Sequence, residues 1–112
     1  MLDLADAPAG PTGATSLALV LHELATNAVK YGSLSVSGGK LTIASRIADG
    51  TLTLIWIERD GPAIAGPPSH KGFGESLARM SARGQLGGDI AYVWNSEGVE
   101  ITLNASLSRL AV

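Results

Sequence analysis

Apolar residues recur at helical spacing in the first third of the chain. They form one face of a helix, which carries Leu17, Val20, Leu21, Leu24, Ala25 and Ala28. Such a face is typical of a helix that packs on a core. Thr15 or Ser16 is a suitable N-cap, and Gly32 is placed to end the helix after Tyr31 in a left-handed conformation. The pattern predicts a helix from about residue 15 to residue 31.

Two pairs of later segments alternate apolar and polar residues with a period of two. Lys40 to Ile47 and Thr51 to Glu58 flank Asp49-Gly50, a dipeptide typical of a tight hairpin turn. Asp89 to Asn95 and Val99 to Leu107 form the second pair, around a short polar turn. Alternation of this kind is expected of a sheet with one buried face. The sequence therefore predicts two antiparallel hairpins.

The segment between the hairpins is rich in glycine and proline from Arg59 to Gly74, which predicts a long loop. Helical spacing returns from Glu75 to Arg83, with Leu77 and Met80 expected to point inward. Two helices over a mostly antiparallel sheet form a two-layer α/β sandwich, with the helices on one face of the sheet. A loop this long in a compact domain is usually functional.

Composition limits the classes of protein that fit. A chain of 112 residues is one domain's worth, so we expect a single domain over residues 1–112. The absence of Cys excludes a disulfide framework and a thiol nucleophile. A net charge of -2 argues against a nucleic-acid partner. No signal peptide or membrane-spanning segment is visible, so we expect a cytoplasmic domain without membrane contact.

A second face of the first helix is polar, and it carries His22, Glu23, Thr26, Asn27 and Lys30. The Asn27 carboxamide oxygen suits Mg²⁺, and the Lys30 ammonium suits phosphate. Glu23 could act as a general base. Each residue alone has a structural explanation, such as a local hydrogen bond or a charge at the end of a helix. Together they predict a site for a magnesium nucleotide.

The order of the motifs resembles a known family. Residues 22–31, His-Glu-Leu-Ala-Thr-Asn-Ala-Val-Lys-Tyr, are similar to the N box of the histidine kinase ATP-binding domain. His22 with Trp56-Ile57-Glu58 resembles the HWE subgroup, which is named for those residues. Gly61-Pro62, Gly72-Phe73-Gly74 and Gln85-Leu86-Gly87-Gly88 continue the similarity.

This resemblance implies a Bergerat-type (GHKL) sandwich that binds ATP with Mg²⁺. It implies transfer of the γ-phosphoryl group to a histidine on a separate dimerisation and phosphoacceptor domain, and indirectly to a response regulator. Asn27 would ligate Mg²⁺, and Glu23 would activate the metal-bound water or the accepting imidazole. Lys30 would contact phosphate, and Tyr31 would lie near the adenine or ribose. His22 would shape the catalytic site through hydrogen bonds to its neighbours.

The remaining nucleotide-binding residues come from the Gly-rich segments. Glu58 stands where related kinases have an Asp that accepts a hydrogen bond from the adenine amino group. Gly61 and the Gly72-Phe73-Gly74 segment would let the nucleotide lid approach and close. Asp60 occupies a position where the family usually has glycine, so it adds a carboxylate at the mouth of the site and restricts the turn.

Other functions remain open at this point. These 112 residues include no helical hairpin with a phosphoacceptor histidine, so we expect no autophosphorylation by this chain alone and a monomer in isolation. A stand-alone GHKL serine kinase of the anti-sigma type is one alternative. Others are a non-catalytic nucleotide-binding or dimerisation module, and an α/β sandwich whose polar helix face is only solvated.

Overall fold

The computed structural model describes residues 2–3, 9–62 and 73–112. Within these ranges it contains three α-helices and a five-stranded sheet. The helices are α1 (Pro11–Lys30), α2 (Phe73–Met80) and α3 (Leu107–Leu110). The strands are β1 (Leu2–Asp3), β2 (Lys40–Ala48), β3 (Thr51–Arg59), β4 (Asp89–Asn95) and β5 (Gly98–Ser106). A 3₁₀ turn, Ser33–Ser35, follows α1, and a π-helical turn, Ser81–Gln85, follows α2.

The sheet has the strand order β1-β2-β3-β5-β4. All neighbouring strands are antiparallel except β1, which pairs in parallel with β2. The helices lie on one face, so the predicted two-layer α/β sandwich is confirmed. The short strand β1 and the helix α3 were not predicted from the sequence.

The first hairpin forms around the predicted dipeptide. Asp49 and Gly50 have φ angles of 53° and 74°, the left-handed values that a type I′ turn requires. The register is therefore fixed so that Ala48 faces Thr51 and Leu41 faces Glu58.

The core lies between α1 and the inner face of the sheet. On β3 the alternate residues Leu52, Leu54, Trp56 and Glu58 are buried. Helix α1 contributes the buried side chains of Val20, Leu24 and Ala28, as its apolar stripe predicts. Glu58 is thus an acidic side chain at the end of a strand that otherwise faces the core with apolar groups.

The helix ends at Lys30 with Tyr31 as its C-cap, close to the predicted end, but the predicted start and the predicted left-handed conformation of Gly32 were wrong. Helix α1 begins at Pro11 with Gly10 as its N-cap, because backbone carbonyls at the other end of the chain accept its first N–H groups. Thr12 and Gly13 donate to the carbonyl of Val112 at 3.0 and 3.3 Å. Gly32 has φ −103° and not a left-handed value, and the next N–H, that of Ser33, bonds to Glu58 Oε1 and not back to the helix as a left-handed cap would require.

Two predictions for the second half were also wrong. Met80 is 67% exposed, because the inner face of this helix is set by Ala78 and Ala82, which are one turn apart and fully buried. Leu107 begins α3 and does not extend the last strand. This turn brings Leu110, which is 1% exposed, into the core.

Across the ranges that the structure describes, no helix is long and apolar enough to span a membrane.

Candidate functional site

The polar face of α1 is accessible to solvent in part. Glu23 and Asn27 are half-buried and one helical turn apart, whereas His22 and Lys30 are exposed. In the described ranges, none of these four side chains makes a hydrogen bond or ion pair. Their polar groups are therefore free to bind a ligand.

A buried carboxylate links the end of α1 to the end of β3. Glu58 is 5% exposed. Its Oε1 accepts a hydrogen bond from the backbone N–H of Ser33 at 3.0 Å, and its Oε2 accepts one from the indole Nε1 of Trp56 at 2.8 Å. Both carboxylate oxygens are thus satisfied within the protein, as a buried charge requires.

Three glycines let the backbone pack closely around Glu58. A Cβ on Gly32 would overlap Glu58 Oε1, and one on Gly98 would overlap the Glu58 carbonyl oxygen. A Cβ on Gly61 would lie 2.8 Å from Ser33 Cα. These close approaches bring the end of α1 against the exit from β3, and larger residues there would separate the two elements.

A cleft lies between these two elements. Its lining residues are Gly32, Ser33, Glu58, Gly61, Pro62 and Gly98. The hydroxyl of Ser33 is buried and has no hydrogen-bond partner, although buried polar groups usually have one. The cleft therefore contains an unused hydrogen-bonding group beside a buried carboxylate.

Asp60 has a left-handed backbone conformation, with φ 58°. Glycine takes this conformation without strain, and aspartate is among the few other residues that tolerate it. The turn that follows β3 is thus retained without glycine. The exposed Asp60 carboxylate lies 3.4 Å from the Lys40 ammonium, so its charge is partly balanced.

Arg59, at the end of β3, lies on the face of the sheet opposite to Glu58 and holds the end of the strand there. Its guanidinium lies 2.8 Å from a carboxylate oxygen of Glu100 on β5, and 2.9 Å from the backbone carbonyl of Glu58. Since Arg59 faces Gly98 in the β3–β5 register, this pair fixes the two strands where they border the cleft.

The structure brings some of the predicted site residues together and leaves others apart or undescribed. Gly61 and Glu58 line one cleft, and Tyr31 lies beside it at the end of α1 with 72% of its surface exposed. Phe73 and Gly74 begin α2, which packs against α1. Gly72 and the side chain of Phe73 lie outside the described residues.

Two members of this arrangement were missed by sequence reasoning. The sequence indicated no role for Ser33, and Trp56 was used only as part of the motif that resembles the HWE subgroup. The period of two already indicates that Trp56 and Glu58 share a face of β3, and that this face is the one with Leu52 and Leu54. The contact with Ser33 has no comparable signal, because it joins residues 25 positions apart.

The chain is similar in sequence to known histidine kinases. No family model matches the chain. The chain is 50% identical over 70 residues to blue-light-activated histidine kinase 1 of Erythrobacter litoralis, a match over 61% of this chain and 19% of the relative. It is 36% identical over 91 residues to a blue-light-activated histidine kinase of Rhizobium johnstonii, over 78% of this chain and 26% of the relative.

Solved structures agree in fold. The histidine kinase domain of EL346 from Erythrobacter litoralis matches 98% of this chain and 52% of its own, with a TM-score of 0.80 and 18% identity. The chain is a homologue of histidine kinases with the fold of their catalytic domain. Histidine kinase AdeS of Acinetobacter baumannii also matches, over 96% of this chain and 53% of its own, with a TM-score of 0.73 and 25% identity.

These relationships confirm the resemblance to HWE histidine kinases and to the GHKL fold. The chain spans only about a quarter or less of the length of the two histidine kinase relatives that it matches in sequence. What those complete kinases sense and phosphorylate is therefore a property of longer proteins.

Proposed function

We propose that residues 1–112 form the catalytic and ATP-binding domain of a two-component histidine kinase. In this proposal the domain binds ATP with Mg²⁺ and donates the γ-phosphoryl group to a histidine of a separate dimerisation and phosphoacceptor domain. A response regulator receives the phosphoryl group from that histidine. The main support is the free polar face of α1, with Glu23 and Asn27, together with the cleft at Glu58, whose lining includes Gly32 just beyond the end of this helix.

The residues around the cleft fit a nucleotide. Tyr31 supplies an exposed aromatic ring beside the cleft for a base or ribose. Lys30, on the last turn of α1, offers a charge for phosphate. The start of α2 at Phe73 and Gly74 would direct its positive end towards an anion.

The described residues also fit a metal ion that arrives with the nucleotide. They contain no cluster of three His, Asp or Glu side chains that would hold a metal by itself. Mg²⁺ typically keeps several waters and binds through substrate phosphates with one or two protein ligands. The half-buried Asn27 carboxamide would supply such a ligand, and the metal would neutralise charge on the phosphates.

The chemistry then requires positioning and one proton transfer. In the proposed reaction, a nitrogen of the acceptor imidazole forms a bond to the γ-phosphorus as the bond to the β–γ bridging oxygen breaks, and ADP leaves. The Glu23 carboxylate orients the imidazole and accepts its proton. Lys30 and Asn27 hold the phosphates in line with the acceptor. His22, one residue before Glu23, stays a candidate for orienting these groups.

Nucleotide binding tests the first half of this proposal. Mg-ATP and a nonhydrolysable analogue are titrated by calorimetry into the wild type and into an Asn27→Ala variant. Asn104→Ala is the matched control, because Asn104 lies on β5 six residues beyond the cleft residue Gly98 and pairs with Thr53. We expect saturable binding by the wild type and the control, with affinity at least about tenfold weaker for Asn27→Ala. No saturable binding by the wild type, or equal affinity in both variants, contradicts the proposal.

Phosphoryl transfer tests the second half. The chain is incubated with γ-labelled ATP and a separately supplied helical acceptor domain of a histidine kinase relative. We expect acid-labile phosphohistidine on the acceptor domain and none on the chain alone. Acid-stable phosphoserine on a protein substrate would instead support an anti-sigma type of kinase. Stable phosphate on His22 would contradict the role assigned to that residue.

A further inference from the structure

We propose that Glu58 is a positioning residue of the nucleotide site. With Trp56 as its anchor, it fixes the Gly32–Ser33 turn that joins the polar face of α1 to the cleft. This inference rests on the proposed nucleotide-binding function, and it assigns Glu58 a role that differs from the direct adenine contact implied by the family resemblance.

The geometry of the carboxylate carries the inference. Trp56 and Glu58 are on the same face of β3, and the indole N–H donates to Oε2 at 2.8 Å. This bond sets the rotation of the carboxylate so that Oε1 meets the N–H of Ser33 at 3.0 Å. Because the side chain is 5% exposed, water cannot replace either donor without opening the core.

The turn that Glu58 holds has no other side-chain support in the described ranges. No side chain caps the 3₁₀ turn at its N-terminal residue Gly32, and the Ser33 hydroxyl is unpartnered. The Ser35 hydroxyl bonds back to the Gly32 carbonyl at 2.6 Å, within the turn itself. The Ser33–Glu58 bond is therefore the side-chain hydrogen bond that ties this turn to the sheet.

The position of this turn decides where the last turn of α1 lies relative to the cleft. Tyr31 and Gly32 donate to the carbonyl of Asn27 at 2.8 and 3.1 Å. A shift of the turn would therefore move the helix end that carries Asn27, Lys30 and Tyr31. Since a misplacement of about 1 Å is costly in sites that act by positioning, loss of the carboxylate bond should weaken nucleotide binding without removal of any ligand.

Two nearly isosteric variants test the role. Trp56→Phe removes the indole N–H and keeps an aromatic ring in the core. Glu58→Gln keeps the shape of the side chain and places an NH₂ group against one of the two donors. Trp94→Phe is the control for the loss of an indole, since Trp94 is half-buried on β4 and stacks on Tyr92 at 6.0 Å. Each variant is measured below its melting temperature.

Three measurements are made on each variant. Hydrogen exchange of the Ser33 amide, in the absence of ligand, measures how well the Gly32–Ser33 turn is held. Affinities for Mg-ATP and for Mg-ITP measure nucleotide binding. Because inosine lacks the adenine amino group, the ratio of the two affinities shows whether a variant loses a contact to that group. We expect Trp56→Phe and Glu58→Gln to speed Ser33 exchange about tenfold and to weaken both nucleotides by about five- to tenfold. The ratio of the two affinities should stay that of the wild type, and Trp94→Phe should leave all three values unchanged.

The outcomes separate this inference from the proposed function. If the wild type binds Mg-ATP but Trp56→Phe matches Trp94→Phe in exchange and affinity, the positioning role is overturned and the proposed function stands. If Glu58→Gln weakens ATP alone, so that the ratio of ATP to ITP affinity collapses, Glu58 contacts the base directly and the inference is wrong. If the wild type binds neither nucleotide, the proposed function and the positioning of a nucleotide both fail.

Discussion

Gly32→Ala tests the packing between the end of α1 and the buried carboxylate. The new Cβ would overlap Glu58 Oε1 and would lie 3.1 Å from Ala28 Cα. The φ of −103° at Gly32 is accessible to any residue, so the loss of stability arises from the clash and not from backbone strain. The carboxylate must move away from the turn, and Oε1 then loses the N–H of Ser33 at 3.0 Å.

The size of the effect follows from the donor that loses its partner. Ser33 is 2% exposed, so its N–H would be buried without an acceptor, at a cost of about 1–3 kcal/mol. We expect Gly32→Ala to lower the free energy of unfolding by about 2 kcal/mol. At about 4 °C per kcal/mol for a domain of this size, the melting temperature should fall by about 8 °C.

Chemical denaturation followed by Trp fluorescence measures this change. Gly38→Ala is the matched control, because a Cβ there meets no atom within 4 Å, and it should change the free energy of unfolding by less than about 0.5 kcal/mol. The same substitution at Gly32 is repeated in a Glu58→Ala background, where the clashing oxygen is absent and the added cost should be close to zero. An equal cost in both backgrounds, or no difference from Gly38→Ala, would refute the packing argument.

Two further predictions concern regions away from the cleft. The hydrogen bond from Arg83 and the N–H of Ile90 hold the pKa of the Asp89 carboxyl below its ordinary value of 3.8. The ionised Asp89 carboxylate therefore stabilises the fold above pH 3.8, and this stabilisation is lost as the pH falls through the folded pKa. In an NMR titration, Arg83→Gln should raise the pKa of Asp89. An unchanged pKa would contradict Arg83 as the cause. Deletion of residues 111–112 removes the Val112 carbonyl, which accepts hydrogen bonds from the N–H groups of Thr12 and Gly13. Hydrogen exchange of these two amides should therefore become about fivefold faster. Unchanged exchange would show that another group caps α1.

The parts of the fold that could be predicted from sequence depend on local patterns. The first hairpin is specified by Asp49-Gly50, whose positive φ angles fix the register of β2 and β3. The start of α1 could not be predicted in the same way. Its first amides bond to the carbonyl of Val112, about a hundred positions away, so Pro11 begins the helix although Thr15 has the better capping side chain.

The same distinction applies to the site. The N-box residues are consecutive on one helix, so the spacing of Glu23 and Asn27 already places them one turn apart. Asp60 was expected to restrict the turn after β3, yet it takes the left-handed conformation that glycine would have. The link between Glu58 and Ser33 is a tertiary contact, and no local pattern indicates it.

Stability alone does not explain a carboxylate at position 58. A buried charge loses its hydration, and replacement of a buried polar network by apolar side chains of similar volume is often neutral or stabilising. An apolar residue would also continue the alternation of Leu52, Leu54 and Trp56 on the inner face of β3. An apolar side chain, however, cannot accept the N–H of Ser33, so the turn at Gly32 would lose its side-chain link to the sheet. What the carboxylate adds is therefore a defined position for the end of α1, and that position matters only if the polar residues of α1 must meet a ligand at the cleft.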